Sequence, residues 1–96
     1  MHLLFISYPA ERSLVFVVDD QSAGRAILER LIRGLQQEIE VITFADAPAA
    51  IAHLALATPD LIVTDFMMPE MDGISFIRHI RGQPECNDVP IIMVTV

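Results

Sequence analysis

Three aspartates are the residues best placed to do chemistry. Asp19 and Asp20 directly follow the apolar run Leu14-Val15-Phe16-Val17-Val18, and Asp65 directly follows Leu61-Ile62-Val63-Thr64. Continuous β-branched runs of this length read as strands buried on both faces, so each acid stands at the carboxyl end of a strand. If the two strands are neighbours, three carboxylates converge. Like charges a few ångströms apart repel, and such a cluster is tolerated when a divalent cation occupies it or when one carboxyl keeps its proton. Mg2+ suits the arrangement, because it binds through a few carboxylates, keeps several waters and accepts phosphate oxygens. The plainer reading is that the acids cap helices and solvate strand ends.

Other chemistries lack their residues. All six basic residues are arginines (Arg12, Arg25, Arg30, Arg33, Arg78 and Arg81), so these 96 residues supply no lysine ammonium and no P-loop for nucleotide binding. No Gly-x-Gly-x-x-Gly run is present for a dinucleotide. Cys86 has no second cysteine to pair with and no adjacent histidine to activate it, and it reads as a loop thiol. His53 and His79 fall on helical stretches away from the strand ends and read as surface or interfacial. Met67, Met68, Met71 and Met93 read as flexible fillers of loop and core gaps.

The elements that must position the acids follow from periodicity. After the first strand, Ser22 can cap a helix whose apolar Ala23, Ala26, Ile27, Leu31, Ile32 and Leu35 recur at three- and four-residue spacing, with Arg25, Glu29, Arg30 and Arg33 largely opposite and Gly34 near its end. Ile39 to Phe44, flanked by Glu38, reads as an edge strand. Asp46 can cap a small Ala-rich helix over 49–57, which Thr58-Pro59 ends. After the third strand and a loop rich in Met and Pro, Gly73 opens a helix with Ile74, Phe76, Ile77 and Ile80 apolar and Arg78 and Arg81 solvated. A polar connection over 82–88 leads to a fourth strand over 89–96. This β-α-β-α-β-α-β order, with right-handed crossovers, predicts an α/β doubly wound parallel sheet. Ligands of such sheets bind beyond the carboxyl ends of the strands, where strand order reverses.

Composition narrows the partners. Thirteen acids against six arginines give a net charge of -7, which argues against nucleic acid or an anionic membrane as a direct partner. Ninety-six residues allow one domain, and 53% apolar with 20% charged residues excludes a disordered chain. The apolar opening is stopped by Pro9, far short of the roughly 20 residues a membrane span needs, and it lacks a basic n-region and a cleavage site. A cytoplasmic protein is expected, with residues 1–13 as an extension.

Val17-Val18-Asp19-Asp20, Asp65-Phe66-Met67-Met68-Pro69-Glu70-Met71-Asp72-Gly73 and Met93-Val94-Thr95 resemble the three signatures of the response-regulator receiver domain of two-component signalling. The resemblance spans 14–96 and implies a flavodoxin-like fold with strand order 2-1-3-4. It implies that Asp65 accepts a phosphoryl group from the phosphohistidine of a sensor histidine kinase or from a phosphotransfer protein. Asp19 and Asp20 would position Mg2+, with Asp65 and the Met67 carbonyl completing the protein ligands, and Thr95 would be the switch hydroxyl. Pro69 would stiffen the loop, and Gly73 would permit a tight turn into the helix. The family is one of regulatory phosphoacceptors and not enzymes.

The chain also departs from that pattern. Receivers have five strands and five helices, with a lysine after strand five; here helix four, strand five, helix five and that lysine are lacking, so an incomplete domain is expected. Arg25 is a conceivable substitute, but its planar head is no lysine equivalent. An uncharged apolar fourth strand at the sheet edge invites pairing with a second copy. A second reading therefore stays open, a degenerate and non-phosphorylated receiver fragment acting as a binding or dimerisation module. The wording Asp-Asp-Gln-Ser-Ala-Gly-Arg and Met-Val-Thr-Val is also similar to receivers that precede HD-type cyclic-dinucleotide phosphodiesterase domains.

Overall fold

The alternation of apolar runs and amphipathic stretches becomes β1 (Ser13–Val18), α1 (Ser22–Arg33), β2 (Ile39–Phe44), α2 (Ala47–His53), β3 (Leu61–Asp65), α3 (Gly73–Arg81), a 3-10 turn (Pro84–Cys86) and β4 (Ile91–Val94). The computed structural model describes residues 13–36 and 38–94. Ser13, the last residue of the expected extension, is the first of β1; the rest of that segment lies outside the described residues. The strands form one parallel sheet in the order β2-β1-β3-β4, the predicted order. Val18 of β1 lies opposite Thr64 of β3. Asp19 and Asp65, each one residue further on, therefore leave the sheet side by side.

The two central strands are buried because each sheet face has its own core. Phe16, Val18, Phe44, Ile62, Phe76 and Ile80 pack on the α2/α3 face, and Val15, Val17, Ile32, Val41 and Val63 pack on the α1 face. The alternation of β1 between these two sets is the period-two geometry of a strand. Phe16 meets Phe44 edge to face at 4.9 Å, and the half-buried His53 ring closes that corner at 5.6 and 5.5 Å from them. His53 is thus interfacial, as its sequence position predicts.

Four local expectations are corrected. Ser22 is the first residue of α1 and not its cap: Gln21 holds the cap position, and its N–H donates to Asp19 Oδ1 at 2.9 Å in an Asx turn that leads into the helix. The apolar stripe predicted for α1 is displaced around the helix. Leu28 and Ile32 face the sheet and Arg33 on one flank reaches the Val41 carbonyl of β2 at 3.4 Å, so Ile27 and Leu31 lie on the opposite flank, 60% and 62% exposed. The second helix ends at His53, four residues early, because Leu54, Ala55 and Leu56 bond three residues back and tighten its last turn.

The fourth correction concerns the connection over 82–88. Its 3-10 turn carries Cys86 into the α2/α3 core at 2% exposure, so the thiol is a core group. Arg81 makes this possible by donating from Nη1 to the carbonyls of Cys86 and Asn87 at 2.8 and 3.2 Å, so its head is engaged and not merely solvated. β4 is shorter than predicted at its start, where Pro90 has no N–H to donate. No helix among the described residues is long and apolar enough to cross a membrane.

Burial, reinforced by Glu85 and opposed by Arg81, pushes the Cys86 thiol above its ordinary range. The folded state thus disfavours thiolate, and this contribution is complete below the ordinary thiol pKa and lost as pH rises through the folded value. Cys86 is expected to react with a maleimide at least tenfold more slowly in buffer than in denaturant. Equal rates would show that the turn does not carry it into the core.

Candidate metal centre

The site is built where β1 and β3 end. The Asp19 N–H donates to the Phe44 carbonyl at 3.1 Å, which extends the β1–β2 pairing by one step, and the Asp19 carbonyl accepts from Arg25 Nη1 at 2.7 Å. On the other side, Asp65 is the last residue of β3 and pairs with Val94 of β4. The next N–H, that of Phe66, donates to the Val94 carbonyl at 3.2 Å, and the Thr64 hydroxyl donates to the Asp65 carbonyl at 3.1 Å. Both acids are therefore held through their main chains, and the Asp19 carboxylate is also held through Oδ1 by the Gln21 N–H.

Asp19, Asp20 and Asp65 present carboxylate oxygens that all lie within 4.8 Å of one another. Asp19 and Asp65 are half-buried. A cation about 2.1 Å from each oxygen needs only small side-chain adjustments to be reached by all three. The donor set is entirely hard oxygen, which fits Mg2+ and not a softer metal that would favour Cys or His. It is the one group of three or more such side chains among the described residues with this spacing. None of its carboxylates forms an ion pair with an arginine among those residues. Arg25, the nearest candidate cation in sequence, spends its Nη1 on a carbonyl.

Met67 lies two residues beyond β3 with its side chain 69% exposed, so its thioether fills no gap. Met68 and Met71 do pack on the core, as predicted. Pro69 is exposed in the loop, and no peptide bond among the described residues is cis. Thr95 lies outside the described residues.

Gly73 opens α3 as predicted, but for a different reason. No glycine among the described residues has a positive φ, so no turn conformation requires it. A Cβ at Gly73 would stand 2.7 Å from the Asp65 carbonyl oxygen, 3.0 Å from Met93 Sδ and 3.1 Å from Phe66 Cα. The missing side chain lets the helix start press against the end of β3, where the Gly73 N–H reaches the Phe66 carbonyl at 2.9 Å. The adjacent Asp72 caps α3 by accepting the Ser75 N–H at 2.8 Å, and this bond holds its carboxyl below the usual range. Sequence reading missed that cap, although an acid just before a helix is its signal. It also missed the Arg25–Asp19 contact, which has no local signal because a carbonyl direction is not written in side-chain types.

Residues 15–96 match the family described as response regulator receiver domain. Among curated relatives, the chain is 35% identical over 82 residues to the cyclic di-GMP phosphodiesterase response regulator RpfG of Xanthomonas campestris pv. campestris, covering 85% of this chain and 22% of that protein. It is 36% identical over 81 residues to the response regulator PleD of Caulobacter vibrioides, covering 84% of this chain and 17% of the relative. Among solved structures, the chemotaxis protein CheY4 of Vibrio cholerae superposes with a TM-score of 0.78 at 32% identity, over 84% of this chain and 66% of that one. The chain thus spans about a fifth of the length of these curated relatives.

The close approach at Gly73 can be tested directly. Gly73→Ala is expected to lower stability by about 1–3 kcal/mol in urea denaturation, as overpacking does, despite the better helix propensity of alanine. An unchanged or higher midpoint would show that the approach is not required.

Proposed function

The chain belongs to the response regulator receiver domain family of two-component signalling, and on that premise we propose that it is a phosphoacceptor, taking a phosphoryl group on Asp65 from a phosphohistidine of a sensor histidine kinase or phosphotransfer protein in the cytoplasm. The observation that carries this reading is the convergence of Asp19, Asp20 and Asp65 within 4.8 Å at the carboxyl ends of the two central strands. An Asp65 carboxylate oxygen forms the new bond to phosphorus, the phosphorus–nitrogen bond of the donor breaks, and its electron pair returns to the imidazole nitrogen. Receivers are regulatory phosphoacceptors, and what the protein must supply is position and charge.

Asp19, Asp20 and Asp65, with the Met67 carbonyl, would hold Mg2+. When bound, the ion offsets the charge on the phosphoryl oxygens. Asp65 is steadied by its pairing with β4 and by the close approach of Gly73, while Pro69 restricts the loop between them. Thr95 would donate its hydroxyl to a phosphoryl oxygen. Within these 96 residues no lysine is available for that oxygen. A lysine ammonium there would add a charge-assisted hydrogen bond worth about 1.5–3 kcal/mol to the aspartyl phosphate. The output is not set by the matched stretch, since one relative is named as a cyclic di-GMP phosphodiesterase response regulator and another as a chemotaxis protein.

One observation favours a second reading, a receiver fragment that acts by pairing without phosphorylation. Among the described residues β4 is at the edge of the sheet, and Ile92 on it is 52% exposed. That edge fits a second copy of the chain.

Two measurements separate these readings. With acetyl phosphate and Mg2+, the chain should gain the mass of one phosphoryl group, and Asp65→Asn or excess EDTA should abolish the gain; labelling that survives Asp65→Asn would refute Asp65 as acceptor. In sedimentation velocity, self-association through β4 should weaken at least tenfold in Ile92→Lys and be indifferent to Asp65→Asn. A wild type that stays monomeric at tens of micromolar would rule the pairing out.

A further inference from the structure

We infer that Gly24 is a positioning residue for the metal centre: its missing side chain is the space into which the Asp19 carboxylate turns to face Asp20 and Asp65. This rests on the reading of the acidic cluster as a cation site. Asp19 is fixed at every other atom that can be held. Its N–H and carbonyl are bonded to Phe44 and Arg25, and its Oδ1 accepts the Gln21 N–H at 2.9 Å. Oδ2 lies against Gly24, where a Cβ would overlap it and would stand 3.2 Å from Cγ and 3.6 Å from Oδ1.

Nothing else in the fold calls for glycine there. Gly24 is the third residue of α1, it has no positive φ, and alanine is the better helix former. The obstacle to a Cβ is the end of a side chain and not backbone, so the helix can accept alanine if the Asp19 carboxylate swings away. That swing gives up either the Gln21 bond or the approach of the Asp19 carboxylate to the other two acids. The cost of a side chain at 24 therefore falls on cation binding and not on folding.

The test is Mg2+ titration by calorimetry on the wild-type chain, Gly24→Ala, Asp19→Asn and the double variant, with thermal melts of each. Gly34→Ala serves as control, because a Cβ there meets only carbonyl oxygens at 3.4 and 3.5 Å at the far end of α1. Gly24→Ala should bind Mg2+ at least tenfold more weakly while melting at or above the wild-type temperature, and Gly34→Ala should bind as wild type does. If Gly24 acts through Asp19, the double variant should be no weaker than Asp19→Asn alone. Equal binding by wild type and Gly24→Ala, or a Gly24→Ala that melts well below wild type, overturns the inference and leaves the cation site standing. A wild type that binds no Mg2+ overturns the cation site and this inference with it.

Discussion

The parallel pairing of β1 with β3 is the constraint on which the rest depends. It sets Val18 opposite Thr64 and so delivers Asp19, Asp20 and Asp65 to one place, where their charges oppose one another. At an effective dielectric near 20, two full charges 4.8 Å apart repel by about 3.5 kcal/mol, less where water reaches them. The strands hold because they are buried on both faces: Phe16, Val17, Ile62 and Val63 are each worth about 1.5–3 kcal/mol of burial. Apolar packing in the middle of the sheet thus maintains an electrostatically unfavourable arrangement at its end, one that a bound cation would relieve.

Coverage of the two faces is unequal. Among the described residues, α2 and α3 lie over one face, with the 3-10 turn sealing it through Cys86, while α1 alone lies over the other. α1 sits toward β2, and Val63 pairs with Ile92 on the face it leaves partly open. The exposure of Ile27, Leu31 and Ile92 has this one geometric origin. The same asymmetry gives the proposed pairing role a physical basis without bearing on the acid cluster, so the two proposed roles rest on separate parts of the fold.

Two glycines act at the site through space and not through conformation. Gly73 admits the start of α3 to the end of β3, and Gly24 admits the Asp19 carboxylate to the first turn of α1. The difference lies in what each would strike: at Gly73 the neighbour is backbone, which cannot yield cheaply, and at Gly24 it is a side-chain end, which can. The first glycine bears on the fold and the second on the orientation of a ligand.

Much of this protein is determined by sequence alone. The periods of the apolar runs dictate strands and helices in their order, and the identity of β1 and β3 as buried strands follows from β-branched residues that pack on both faces. The acids after those strands, and the M-P and M-D-G spacing before α3, were sufficient to locate the cluster and to point to the family. Tertiary structure alone decided what depends on neighbours distant in the chain. Ile27 and Leu31 are apolar by type, yet they are exposed because α1 leans toward β2. Cys86 sits in a polar stretch, yet it is buried because Arg81 holds the turn beneath it. Gly24 and Gly73 are ordinary helical residues in sequence, and only the approach of Asp19 and of the Asp65 carbonyl gives their missing side chains a purpose. Periodicity fixes which way a residue faces within its own element; what stands opposite is fixed only when the elements pack.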